Sequence, residues 1–108
     1  MRNTSWIVSD RELYSGLIRL HILYHAAREP IFGLGIMQEL KRHGYNLGPG
    51  TLYPILHALE AKGYLRSVSC SNGRSTRRSY RATAAGRRAL DGAKIKVREL
   101  FGELFEDE

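Results

Sequence analysis

The chain has 108 residues, 43% of them hydrophobic, and a formal net charge of +6, which fits one domain with a packed core and an acidic partner such as nucleic acid or a membrane surface. The single cysteine, Cys70, excludes an intramolecular disulfide and fits a reducing compartment. The N-terminus has no apolar leader core and no apolar run nears membrane-span length, so the expectation is a soluble cytoplasmic protein without a membrane contact.

In chain order, "SDRE" (9–12) reads as a capping box, with Ser9 as cap and Glu12 three residues on. Leu13, Leu17, Leu20, Tyr24 and Ala27 then recur at helical spacing, predicting one helix of roughly 18 residues that ends before Pro30. Ile36, Met37 and Leu40 form a short second stripe, with Lys41, Arg42 and His43 in its last turn and Gly44 as C-cap. Leu52, Ile55, Leu56 and Leu59 follow the i, i+3, i+4, i+7 pattern of a third helix, closed by Gly63. "YLRSVSC" and "RRSYRAT" flank Asn72-Gly73, a strong hairpin signal. Thr83 can cap a last helix, on which Leu90, Ala93, Val97, Leu100 and Leu104 form a stripe widened by Phe101 and Phe105.

The order helix, helix, short turn, helix, hairpin, long helix describes a winged helix-turn-helix. The fold class is mainly α with a small β-hairpin. Residues 1–82 form the winged-helix domain, and residues 83–108 form a dimerisation helix with an acidic tail. The last stripe is too apolar to face water, which argues for pairing with a second chain.

Charge is unevenly placed. Seven arginines and no acid lie between Arg66 and Arg88, while five acids and no base lie from Glu99 to the end. Arg74, Arg77 and Arg78 cluster at the hairpin and read as phosphate contacts. The third helix opens on "GPGTLYP" (48–54). If it begins at Pro49, then Pro54 costs a hydrogen bond to Gly50. If Thr51 is the N-cap, Pro54 falls in the first turn. Either way the start carries bare N–H groups that attract phosphate, with Gly48 and Gly50 admitting a close backbone. Tyr53, off the apolar stripe, is expected to be exposed beside Thr51, with His57 one turn further.

Other features read blandly. His21 and His25 have metal spacing, but no Cys or acid obviously completes a site, and no metal or cofactor is expected. Cys70 reads as an ordinary strand cysteine, and Lys41 and Arg42 as complements to a helix C-terminus. No Ser/His/Asp or Cys/His arrangement and no Gly-rich phosphate loop points to an enzyme. The alternative to DNA binding is a winged-helix module whose arginines face an acidic protein.

"GPGTLYPILHALEAKGYL" (48–65), with "FGLGIMQEL" (32–40) before it and "GRSTRRSYRATAAGRRAL" (73–90) after it, resembles the PadR family of transcriptional regulators. The resemblance covers about residues 10–95. It implies a homodimeric winged-helix repressor on double-stranded DNA. The DNA-facing role falls on Gly50, Thr51, Tyr53, Pro54 and His57, with Arg74 and Arg77 on the wing. It also implies that the C-terminal helix pairs with the partner's first helix, which brings in Leu13 and Leu17. Compact members of the family either sense small hydrophobic ligands at the dimer interface or have no known effector. Trp6, before the first cap, reads from its position as a hydrophobic staple or as part of a dimer pocket, where a flat aromatic could stack on a planar ligand.

Overall fold

The structure is a computed structural model and describes residues 9–71, 73 and 75–106. Its elements are α1 (Ser15–Arg28), β1 (Ile31–Phe32), α2 (Gly33–Arg42), α3 (Pro49–Ala61), β2 (Leu65–Ser71), β3 (Thr76–Ala82) and α4 (Ala84–Phe101), followed by a π-helical turn over Gly102–Glu106. The strands form one antiparallel sheet in the order β1-β3-β2. This is the winged helix-turn-helix order expected from the sequence, with one addition. The two-residue strand β1 pairs Ile31 with Tyr80 and Phe32 with Ser79.

α1 begins later than its capping signal. Asp10 Oδ1, not Ser9, accepts the Leu13 amide at 3.1 Å, and a non-helical turn fills 11–14 before Ser15. The helix carries apolar residues on more than one side, and the core takes one of them: Ile18, Ile22, Leu23 and Ala26 are buried. Leu13, Leu17 and Tyr24, on the stripe found in the sequence, are exposed instead.

α2 and α3 end in the same way. Gly44 (φ 89°) and Gly63 (φ 83°) follow the last helical residues in the left-handed region. The Tyr45 amide donates to the Leu40 carbonyl, and the Tyr64 amide to the Leu59 carbonyl, both at 2.9 Å. Each is a Schellman cap, with the apolar residue after the glycine turned back on the helix. Three residues of α2 and α3, Leu40, Leu52 and Leu56, have no exposed surface. Each fully buried leucine contributes about 2 kcal/mol of apolar burial.

α3 starts at the earlier of its two candidate positions. Gly48 is the N-cap, Pro49 is the first helical residue, and the Thr51 and Leu52 amides both donate to the Gly48 carbonyl. Pro54 therefore lies inside the helix, where its missing N–H leaves the Gly50 carbonyl without its usual donor.

β2 and β3 pair from Leu65 with Ala82 to Ser71 with Thr76. Gly73 takes φ 94° in the connection, as the Asn-Gly signal predicted. Asn72 itself lies outside the described residues.

Thr83 ties the pieces together. Its hydroxyl donates to the Gly63 carbonyl and accepts from the Gly86 amide, and its own amide donates to the Tyr64 carbonyl at 3.0 Å. It caps α4 and pins that helix to the end of α3. Leu90, expected on the dimer stripe, is 8% exposed and sits in the chain's own core. α4 packs on α1 and β3 and buries Gly86 and Leu90, so the apolar stripe is partly used up inside the chain.

Candidate nucleic-acid interface

The start of α3 stands clear of the core. Gly48, Pro49, Gly50, Pro54 and His57 are exposed and Thr51 is half-buried. Its first turn carries a bare Gly50 amide, and no side chain caps it. A helix start of this kind favours anions, and its glycines keep side-chain bulk away.

Tyr53 departs from expectation. It is half-buried and packs against the core, and its hydroxyl lies over Gly33 at the start of α2. Even a methyl group at Gly33 would collide with that hydroxyl. Tyr53 is off the leucine stripe, but α2 crosses α3 there, and the missing side chain of Gly33 makes room for the ring. Its outer edge still approaches His57, with ring centroids 6.3 Å apart.

The wing arginines separate. Arg77 and Arg78 are neighbours on β3, so their side chains leave opposite faces of the sheet. The Arg77 guanidinium stacks on the Phe32 ring, 3.9 Å from its centroid. Arg78 donates to the Ser67 hydroxyl at 3.1 Å. That hydroxyl and the Ser67 amide both donate to Glu60 Oε2, at 2.7 and 3.1 Å. The chain Arg78–Ser67–Glu60 therefore fastens the wing to α3. The sequence held the signal for Glu60, a lone acid beside the last buried leucine of α3, but not its role. Arg74 lies outside the described residues, as does Trp6.

A second surface lies between α1 and α4. Leu17, Leu20, Tyr24, Ala93, Val97 and Phe101 line a groove of about 1040 Å³. Val97, Leu100, Phe101, Leu104 and Phe105 are about half exposed and Ala93 is half-buried.

Three histidines sit at the rim of this groove. The His21 and His43 rings stack with centroids 4.6 Å apart, and Glu39 Oε2 lies 3.1 Å from His43 Nε2 and 3.7 Å from His25 Nε2. Burial pushes the His21 pKa below its usual 6.5, His43 and His25 push it further down, and Glu39 opposes them. The acid missing from the sequence reading is thus Glu39. Even so, no group of three among the described residues is placed to hold a metal ion. Arg42 pairs with Glu39 at 3.2 Å, and Lys41 is exposed. Cys70 is a free, exposed cysteine on β2 opposite Arg77.

The chain is similar to known proteins in sequence and in fold. Residues 22–92 match the model of the transcriptional regulator PadR-like family. Transcriptional regulator Rv3488 of Mycobacterium tuberculosis is 49% identical over 94 residues, spanning 87% of this chain and 88% of that protein. A PadR family transcriptional regulator from Eggerthella lenta superposes with a TM-score of 0.77 at 32% identity, over 90% of this chain and 88% of its own. A PadR-like regulator from Bacillus cereus shares the fold, with a TM-score of 0.74 at 22% identity over 90% and 99% of the two chains. No helix among the described residues is long and apolar enough to cross a membrane. With its winged-helix core, open α3 start and basic hairpin, the chain belongs to the PadR-like family of transcriptional regulators and is not an enzyme.

Proposed function

We propose that this regulator is a homodimeric repressor that binds an inverted-repeat operator in the cytoplasm. The observation that carries the dimer is the apolar face of α4. Val97, Leu100, Phe101 and Leu104 are about half exposed, Leu17 of α1 lines the same groove and is about as exposed, and Leu13, before α1, is more exposed still. So much contiguous apolar surface on a small chain calls for a partner, and a second copy offers the same surface around a two-fold axis. Residues 1–82 then act as the DNA-binding domain and residues 83–108 as the dimerisation segment, with Leu90 serving the core rather than the interface.

On DNA, Gly50, Thr51, Pro54 and His57 meet the duplex at the start of α3, and Tyr53 sets the packing from which they project. Arg74, Arg77 and Arg78 hold phosphates from the wing. Two such helices in a dimer sit about one DNA turn apart, which gives the operator its symmetry. A small hydrophobic or aromatic ligand in the groove between α1 and α4 releases the operator, with Trp6 as its stacking partner.

Fluorescence anisotropy on DNA from upstream of the chain's own gene, against a scrambled duplex at several salt concentrations, tests the reading. Tight binding to the first and weak, salt-sensitive binding to the second is the expected result. Absence of binding to either duplex at low salt would move the arginines to an acidic protein partner instead. Light scattering of Val97→Asp should report monomers where wild type gives dimers.

A further inference from the structure

A second cluster of bases lies beside α3, away from the wing. Arg11, in the turn before α1, donates from its guanidinium to Thr51 Oγ1 at 2.8 Å, reaching across forty positions of sequence. Arg19, one turn into α1, donates to the Ser15 carbonyl at 3.1 Å and lines the same cleft. The cleft has a volume of about 480 Å³, and Gly50, Thr51 and Pro54 close its other side. Among the described residues neither guanidinium has a carboxylate within ion-pair distance. Glu12 also lines the cleft, and the nearby Asp10 carboxylate accepts from the Leu13 amide.

We propose that Arg11, Arg19 and the Thr51 hydroxyl form a binding site for one backbone phosphate of duplex DNA. The inference rests on the DNA-binding reading above and extends the interface to a segment outside the helix-turn-helix. The geometry supplies the donors. Arg11 occupies one lone pair of Thr51 Oγ1, which turns the Thr51 O–H away from it as a donor. A guanidinium carries five N–H groups, so both arginines keep free donors after their internal bonds. Charge-assisted bonds from such donors to a phosphate are among the stronger hydrogen bonds. The site is continuous with Gly50 and Pro54, so a strand crossing the start of α3 runs directly over it. The Arg11–Thr51 bond also fixes the Thr51 rotamer before DNA arrives, so less freedom is lost on binding.

The test uses the full chain and plain duplex DNA, with anisotropy read over a salt series. Arg11→Ala should weaken binding to every duplex alike and reduce the slope of log affinity against log salt by about 0.9. A fourfold rise in salt then costs the variant about 3.5-fold less affinity than it costs wild type. Arg11→Lys, which keeps the charge, should keep the slope. Glu12→Gln, which removes the acid from the cleft, should tighten binding. Circular dichroism of each variant checks that it is folded.

If wild type binds and Arg11→Ala leaves the slope unchanged, the phosphate site is refuted and the regulator reading stands. That holds also where affinity falls at constant slope, because Arg11 then merely props Thr51. If wild type binds no duplex, the DNA-binding reading itself fails.

Discussion

Gly86 offers a sharp test of the joint between α3 and α4. A methyl group there would come well inside 3.0 Å of the Tyr64 carbonyl oxygen and to 3.0 Å of its carbon, both backbone atoms that cannot rotate away. Ordinary contact returns only if the two backbones part by roughly 1 Å. Parting them stretches the bonds from Thr83 to the Tyr64 and Gly63 carbonyls. Overpacking costs about 1–3 kcal/mol. The two hydrogen bonds add about 1 kcal/mol each. Replacing a helical glycine by alanine returns about 1 kcal/mol. Gly86→Ala should therefore destabilise the fold by roughly 2–4 kcal/mol, lowering Tm by at least roughly 8 °C.

Gly92 is the internal control, because it lies on the same helix and a methyl there meets nothing within 4 Å. Gly92→Ala should raise stability by up to about 1 kcal/mol. Thermal unfolding of both variants and wild type, at one fixed protein concentration, is the assay. A Gly86→Ala protein as stable as wild type would refute the account of the joint.

Other predictions rest on single side chains. The Tyr80 hydroxyl is buried without a partner among the described residues, so Tyr80→Phe should stabilise the fold by about 1 kcal/mol in urea unfolding. Loss of stability would mean that the hydroxyl is bonded. His21 titrates below 6.5 in the folded chain, so the unfolded chain takes up its proton first. Stability that is present above pH 6.5 should be lost as pH falls through the lower folded value. His21→Gln should shrink the difference in unfolding free energy between pH 7.5 and 5.5, and an unchanged difference would acquit His21. Tyr53→Phe should bind DNA nearly as wild type does, because the ring packing stays, whereas Tyr53→Ala should lose both stability and operator affinity. Equal losses in the two would return the hydroxyl to the DNA.

The order of elements was legible because each carries a local signature that tertiary contacts did not override. Gly44 and Gly63 stop their helices where the sequence placed them, and Thr83 caps α4 as read. The choice of helix face was less legible. α1 offers apolar residues on two sides, and a period alone does not say which side meets the core and which is left outside. Leu90 has the same ambiguity, since one stripe on α4 serves the core at its start and lies open further along. A two-residue strand such as β1 has no period at all, and only its partner β3 makes it a strand. The candidate interface was read by residue type, which missed two matters of distance. Tyr53 folds inward because Gly33, on the preceding helix, leaves space for it, and Arg11 joins Thr51 across forty positions of sequence.

The joint at Thr83 makes α4 a lever. The helix has 18 residues and so extends roughly 27 Å from its pivot. A tilt of about 5° at the pivot swings its far end by roughly 2 Å, comparable to the interface shifts through which packed helices switch. Because two of the Thr83 hydrogen bonds, to the Gly63 and Tyr64 carbonyls, also hold the end of α3, a swing of the arm pulls on that helix too. Whatever settles against the outer half of α4 would act through the long side of a lever whose pivot is the end of α3.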